Sequence, residues 1–156
     1  MKLVSPAFAC GEALPVDFTR HGANLSPALA WSELPTSTVT LALTCADPDA
    51  SRLWYHWVIW NIPPHWTGLP QRFPRCAELQ GLRQGTTSYR TLGFDGPEPP
   101  PGESHRYIFR LYALDRRLNL AAGAPAPQLE RAMDGKVLAT AGIKGLYTSP
   151  ERSLSW

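Results

Sequence analysis

The sequence predicts a single domain, spanning residues 1–156, that is built mostly from β-strands and carries one or two short helices. Three observations support this fold class: long runs of β-branched and aromatic residues, 16 prolines, and apolar and charged shares of 44% and 18%. Proline at about twice its usual ~5% share interrupts helices and central strands. Long helices are therefore not expected, and the chain is long enough to bury a full core.

The strongest strand predictions are residues 39–46 (VTLALTCA), 54–62 (WYHWVIWNI) and 106–115 (RYIFRLYALD), because their residue types favour strands. The first two are nearly continuous in apolar character, as expected for strands covered on both faces. Shorter strands are predicted at 7–10 (AFAC) and 28–31 (ALAW). Turn-rich segments separate these runs. The pattern favours an antiparallel sandwich or barrel-like sheet with a helix attached.

The helix is predicted within residues 124–135 (APAPQLERAMDG), where Leu129 and Met133 recur at helical spacing. Pro127 near its start is typical of a first helical turn. Residues 136–143 (KVLATAGI) then indicate a final strand or extended segment.

Charge and cysteine content argue against several classes of protein. The net charge is +2 without a basic block, which disfavours nucleic-acid binding. The cysteines Cys10, Cys45 and Cys76 are odd in number and lack metal-ligand spacing, so we expect free thiols in a reducing compartment. The sequence has neither a signal-peptide pattern nor an apolar run of about 20 residues. We therefore expect a cytoplasmic protein without a transmembrane segment.

Two aspartates and two histidines are the candidate functional residues, since titratable groups are costly beside apolar sequence unless they are satisfied. Asp47 and Asp49 follow the first long strand, and Asp-Pro-Asp is also ordinary turn chemistry. His56 lies within the second strand, and a core histidine bonded to a backbone carbonyl is an equally good interpretation. Strict alternation predicts two faces, one with Trp54, His56, Val58 and Trp60 and the other with Tyr55, Trp57 and Ile59.

His105 follows a stiff loop, DGPEPPPGES (95–104), and begins the third long strand. Prolines fix the backbone of this loop, while Gly96 and Gly102 permit tight turns. A rigid loop that delivers a polar residue to a strand end is a common way to build a site. A half-exposed histidine beside an edge loop is the simpler interpretation when the motif is taken alone.

Several motifs stand in a recognisable order along the chain. They are NLSPALAW (24–31), DPDAS (47–51), HWVIWNIP (56–63), GFDGPEPPPGESHRYIFRLYALD (93–115) and LERAMDGKVLATAGIKGLY (129–147). Together they resemble the phosphatidylethanolamine-binding protein family, also called the Raf kinase inhibitor family, and specifically its short bacterial branch. The resemblance covers nearly the whole chain.

The resemblance implies a large antiparallel β-sheet packed against a smaller one, and a small pocket for anions such as phosphate or phosphoryl headgroups. The residues that would bind the ligand are Asp47, His56, Pro99, Pro100, His105 and Tyr107. Asp49 and Arg106 would support the loops as a charge pair, because a buried arginine on a strand needs such a partner. Two departures from the family pattern are Ser51 in place of a proline and Glu98 in place of a small residue. A carboxylate at position 98 either disfavours anions or faces water.

Three functions follow from these residues and from the resemblance. The first is a non-enzymatic binding protein for a small anionic or phosphorylated ligand, without a cofactor, because the motifs contain no evident nucleophile–base pair. The second is a metal-dependent hydrolase that uses Asp47, His56 and His105 as ligands. The third is an interaction module that inhibits a kinase or a protease, as the family's names suggest. Bacterial relatives also suggest a homodimer.

Overall fold

The computed structural model describes residues 1–151, so the end of the tail, for which the sequence predicts nothing, lies outside it. These residues form ten strands, one α-helix and a 3-10 turn at Val16–Phe18. The strands are β1 (Lys2–Val4), β2 (Leu29–Ser32), β3 (Thr40–Asp47), β4 (Trp54–Ile62), β5 (Gly68–Leu69), β6 (Glu78–Leu79), β7 (Leu82–Thr86), β8 (Ser104–Leu114), β9 (Gly123–Pro125) and β10 (Val137–Thr148), and the helix is α1 (Ala126–Met133). No helix in residues 1–151 is long and apolar enough to cross a membrane.

The strands form two sheets. The larger sheet has the order β10-β8-β3-β4-β7-β6, and β9 joins it in parallel beside β7. The smaller sheet has the order β1-β2-β5. The named neighbours along both sheets pair antiparallel. The mostly β architecture of a large and a small antiparallel sheet is therefore confirmed.

The central strands β3 and β4 separate two apolar clusters. One cluster joins the two sheets and includes Trp31, Leu43 and Phe109. The other lies under α1 and includes Trp60 and Leu129, which is fully buried. Apolar residues on both faces of these strands explain their nearly continuous apolar sequence.

The strand predicted at residues 7–10 is wrong. This segment has no strand structure; β1 lies earlier in the chain, at Lys2–Val4. Pro6 lacks a backbone N–H for strand pairing. Phe8 instead packs into the inter-sheet cluster, with its ring 5.9 Å from that of Phe109. The apolar residues of this segment are therefore explained by side-chain burial and not by a strand.

The predicted alternation of faces along β4 is also wrong, and a β-bulge is the reason. The register between β3 and β4 shifts between Trp57 and Tyr55, which leaves His56 as the extra residue. A bulge interrupts the strict alternation of side chains. His56 consequently packs against Tyr107 on the inter-sheet side, whereas Val58 lies in the cluster under α1.

Candidate functional site

A cavity of about 160 Å³ opens where the end of β3, the start of β4 and the start of β8 meet the proline loop (95–104). All six residues that the sequence analysis selected as ligand-binding line this cavity: Asp47, His56, Pro99, Pro100, His105 and Tyr107. The remaining lining residues are Ala50, Trp54, Tyr89 and Glu98. Residues that are distant along the chain therefore converge on one concave surface.

His105 is held between two carboxylates. Its Nδ1 lies 2.6 Å from Oδ2 of Asp47, and its Nε2 lies 2.9 Å from Oε2 of Glu103. A ring that donates from both nitrogens is a protonated imidazolium. Burial would lower the pKa of His105, but its hydrogen bonds to Asp47 and Glu103 outweigh burial and raise this pKa. The protonated form of His105 is therefore favoured, and in that form both of its N–H groups have partners.

Hydrogen bonds from the backbone hold the Asp47 carboxylate in place beside His105. Its second oxygen, Oδ1, accepts hydrogen bonds from the backbone N–H groups of Asp49 and Ala50, at 2.8 and 3.1 Å. The Asp47 side chain thus stabilises the turn of the Asp-Pro-Asp motif with one oxygen and orients His105 with the other. Asp47 is buried, so it holds the histidine rather than presenting a free carboxylate to a ligand.

His56 is bonded on one side and unpartnered on the other. Its Nδ1–H donates to the backbone carbonyl of Asp95 at 2.7 Å, because a carbonyl can only accept. Burial lowers the pKa of His56, although the Asp95 carbonyl and Asp47 partly oppose this. The ring is therefore neutral, and its Nε2 carries a lone pair. The hydrogen bond to a carbonyl agrees with the interpretation as a core histidine. The residue also lines the cavity, and its part in ligand binding stays a prediction.

Three buried side-chain nitrogen or oxygen atoms within residues 1–151 have no hydrogen-bond partner: Trp54 Nε1, His56 Nε2 and Tyr107 Oη. All three residues line the cavity. Burial and the nearby Asp47 raise the pKa of Tyr107, so its hydroxyl keeps its proton. An unpartnered buried polar atom is costly, and three of them beside one cavity indicate that the cavity is built to contact something polar.

Asp49 and Arg106 form an ion pair at the edge of the cavity region. Asp49 accepts from the Arg106 backbone N–H, Nε and Nη2 at 2.8, 3.0 and 2.8 Å. These hydrogen bonds lower the pKa of Asp49 to about 2. The expectation that Arg106 is buried is wrong, because its side chain is 49% exposed. It lies on the outward face of β8, where water rather than apolar side chains surrounds it.

The proline loop is anchored by a segment that sequence reasoning did not identify as part of the site. Asn24 accepts from the Gly96 N–H at 2.7 Å and donates to Asp95 at 3.0 Å. A Cβ on Gly96 would lie 2.6 Å from the Phe18 carbonyl oxygen, so close approach, not a turn, requires this glycine. Gly102 does adopt the left-handed conformation, with φ +79°.

Sequence reasoning also missed Trp54, Tyr89 and Glu103 as site residues. The Arg20 guanidinium stacks 4.2 Å from the centre of the Tyr89 ring, and Arg20 also pairs with Asp95 at 3.1 Å. Trp54 and Glu103 each lie two residues before a selected histidine, and a search for donors and acceptors next to each histidine would have found them. No local pattern marks Tyr89.

The metal-ligand set of Asp47, His56 and His105 is not supported by the geometry. Within residues 1–151, no group of three or more histidine, cysteine, aspartate or glutamate side chains could hold a metal ion. Asp47 and His105 satisfy one another, and His56 makes its contact with a carbonyl instead.

Comparison with known proteins finds relatives over nearly the whole chain. The model of the family described as "Phosphatidylethanolamine-binding protein" matches residues 4–148. A UPF0098 protein of Methanothermobacter thermautotrophicus is 47% identical over 94% of this chain and 98% of its own length. The UPF0098 protein YbhB of Escherichia coli is 37% identical over 95% and 100%. The crystal structure of E. coli YbcL, described as a member of the mammalian PEBP family, superposes with a TM-score of 0.88 at 30% identity and covers 97% of this chain and 98% of its own.

Proposed function

Because this chain belongs to the phosphatidylethanolamine-binding protein family, we propose that its cavity binds a small phosphorylated ligand without transforming it. The observation that carries the proposal is the set of three unpartnered polar atoms on Trp54, His56 and Tyr107. Buried polar groups without partners are rare in folded proteins and call for an explanation. A ligand that supplies the missing hydrogen bonds is that explanation.

The chemistry of the three atoms favours a phosphoryl group. Trp54 Nε1–H and Tyr107 O–H are donors, and phosphoryl oxygens are strong acceptors. Neutral His56 needs a donor at Nε2, which a protonated phosphoryl oxygen, a hydroxyl or an ammonium group of the ligand would supply. A ligand that combines acceptor oxygens with one such donor would therefore satisfy all three atoms.

The proposal that binding is non-enzymatic has its own support. A nucleophile requires a base or a lowered pKa, whereas the Tyr107 hydroxyl beside the cavity has a raised pKa. Both nitrogens of His105 already contact carboxylates, so this ring is not available as a base. We expect no turnover of a bound phosphomonoester.

Calorimetric titration with inorganic phosphate, O-phosphorylethanolamine and ethanolamine tests the proposal and distinguishes the sources of the phosphoryl group. We expect both phosphates to bind and Tyr107→Phe to weaken them about five- to tenfold, as the loss of one hydrogen bond predicts. The control is Tyr112→Phe, since Tyr112 packs against the cluster under α1. Absence of phosphate binding, or equal affinities for wild type and Tyr107→Phe, would refute the proposal.

The other functional expectations stay predictions. They are a kinase or protease partner, a homodimer and a cytoplasmic location. For the described residues, Cys10, Cys45 and Cys76 are free thiols, which is compatible with a reducing compartment. Sedimentation equilibrium measures the oligomeric state directly.

A further inference from the structure

We propose that Glu103 is an internal competitor for the ligand and thereby weakens the affinity of the cavity for anions that bind His105. This inference rests on the proposed function of the same cavity. The Glu103 carboxylate lies 2.9 Å from Nε2 of His105, a residue that lines the cavity. Because Asp47 holds Nδ1 at 2.6 Å, Nε2 is the sole N–H of His105 that a ligand could take over.

The two carboxylates on His105 differ in how firmly they are held. The Asp47 side chain is 5% exposed and accepts two backbone hydrogen bonds besides that from the histidine. The Glu103 side chain is 56% exposed and, within residues 1–151, forms its hydrogen bond with His105 alone. Exposed ion pairs contribute little free energy. Glu103 is therefore the partner that a ligand can displace.

The backbone around Glu103 allows such an exchange without refolding the loop. Its N–H donates to the Pro100 carbonyl at 3.0 Å, and its carbonyl accepts from the Ser149 N–H at 2.9 Å. These bonds fix the main chain on both sides of the residue. Release of His105 then requires rotation of the Glu103 side chain alone, which can move its carboxylate into water.

Displacement has a consequence for the affinity of each ligand. A carboxylate ligand would replace one carboxylate with another at His105 and gain little. A phosphoryl group carries up to two charges and three acceptor oxygens, so it can take the place of Glu103 and also reach donors such as Tyr107. Because every anion at His105 must displace the same carboxylate, Glu103 lowers all of their affinities by a similar factor, and the larger gain of a phosphoryl ligand lets it bind in spite of this cost.

Calorimetric titration of inorganic phosphate and acetate into wild type, Glu103→Gln and Glu103→Ala tests the inference. We expect about two- to fivefold tighter phosphate binding in both variants, the value of one exposed ion pair, and a similar gain for acetate, so that the ratio of the two affinities stays unchanged. Glu98→Gln is the matched control, because Glu98 lines the cavity at similar exposure but has no contact with His105 among its ion pairs. Its effect should be smaller.

The outcomes separate this inference from the proposed function. Equal phosphate affinity in wild type and in both Glu103 variants would refute the competition while leaving phosphate binding intact. Weaker binding in Glu103→Ala would also refute it, since Glu103 would then support the ligand. If phosphate binds to none of the proteins, Glu103→Ala included, the proposed function fails and the inference fails with it. A gain in the Glu103 variants that exceeds the gain in Glu98→Gln supports it.

Discussion

Replacement of Asp47 by asparagine removes the charge that holds His105 and should destabilise the fold. The oxygen of the new amide could still accept from the Asp49 and Ala50 N–H groups, but the amide nitrogen would face the Nδ1–H of His105, donor against donor. The histidine would then have to lose its proton at Nδ1 to become an acceptor there. The substitution therefore exchanges a buried ion pair for a neutral contact.

The magnitude follows from burial. The two side chains are 5% and 8% exposed, and removal of one partner from a buried pair costs about 3–5 kcal/mol. Because asparagine retains the backbone contacts, we expect the lower end, about 3 kcal/mol in the free energy of unfolding near pH 6. For a chain of this size that corresponds to about 6–12 °C in Tm.

The pH dependence of this loss is the sharper measurement. Because the pKa of His105 is raised in the folded state, its stabilising effect is complete below the unfolded pKa of about 6.5 and is lost as the pH rises through the folded pKa. The difference in unfolding free energy between wild type and Asp47→Asn should therefore shrink above pH 6.5, although Glu103 still faces the ring. Urea denaturation at several pH values measures it, with Asp115→Asn, an exposed neighbour of Arg116, as the control. A difference that is independent of pH would refute the assignment of His105 as a cation held by Asp47.

Two further predictions concern positions on the strands of the larger sheet. His56→Ala should lower the free energy of unfolding by about 2–4 kcal/mol in urea denaturation, because a buried ring is replaced by a void; an unchanged midpoint would contradict the burial of His56. Gly85→Ala should lower the free energy of unfolding by about 1–3 kcal/mol or more, because its Cβ would overlap the Ala124 carbonyl oxygen. Gly142→Ala is the control and should cost nothing measurable, since the nearest atom to its Cβ lies at 3.4 Å. Equal stability of the two variants would refute the clash.

Strand positions could be predicted where residue type and burial agree. The predicted strand at residues 54–62 matches β4, and the predicted helix contains α1, because β-branched residues, prolines and apolar spacing carry local information. The two-residue strands β5 and β6 have no such local signal. Their pairing depends on tertiary contacts that propensity does not encode.

The sequence indicated which residues belong to the candidate site better than it indicated their hydrogen-bond partners. Asp47, His56 and His105 could be noticed as polar groups at or within strong strands, and the family resemblance then assigned them to one pocket. Their hydrogen-bond partners could not be predicted, since Glu103 and the Asp95 carbonyl reach the histidines through loop geometry. For Arg106 the partner was predicted correctly and the burial was not. Its position on a strand between buried residues did not make its side chain buried.

Sheet topology and one bulge together account for the convergence at the cavity. Since β3 pairs antiparallel with both β4 and β8, the C-terminal end of β3 lies beside the N-terminal ends of both neighbouring strands. That places Asp47 beside His105. Regular alternation would turn His56 toward the cluster under α1, with Val58, whereas the bulge turns it toward Tyr107 and leaves its Nε2 beside the cavity. Because of the extra residue in β4, His56 lines the cavity instead of facing α1, as regular alternation would place it.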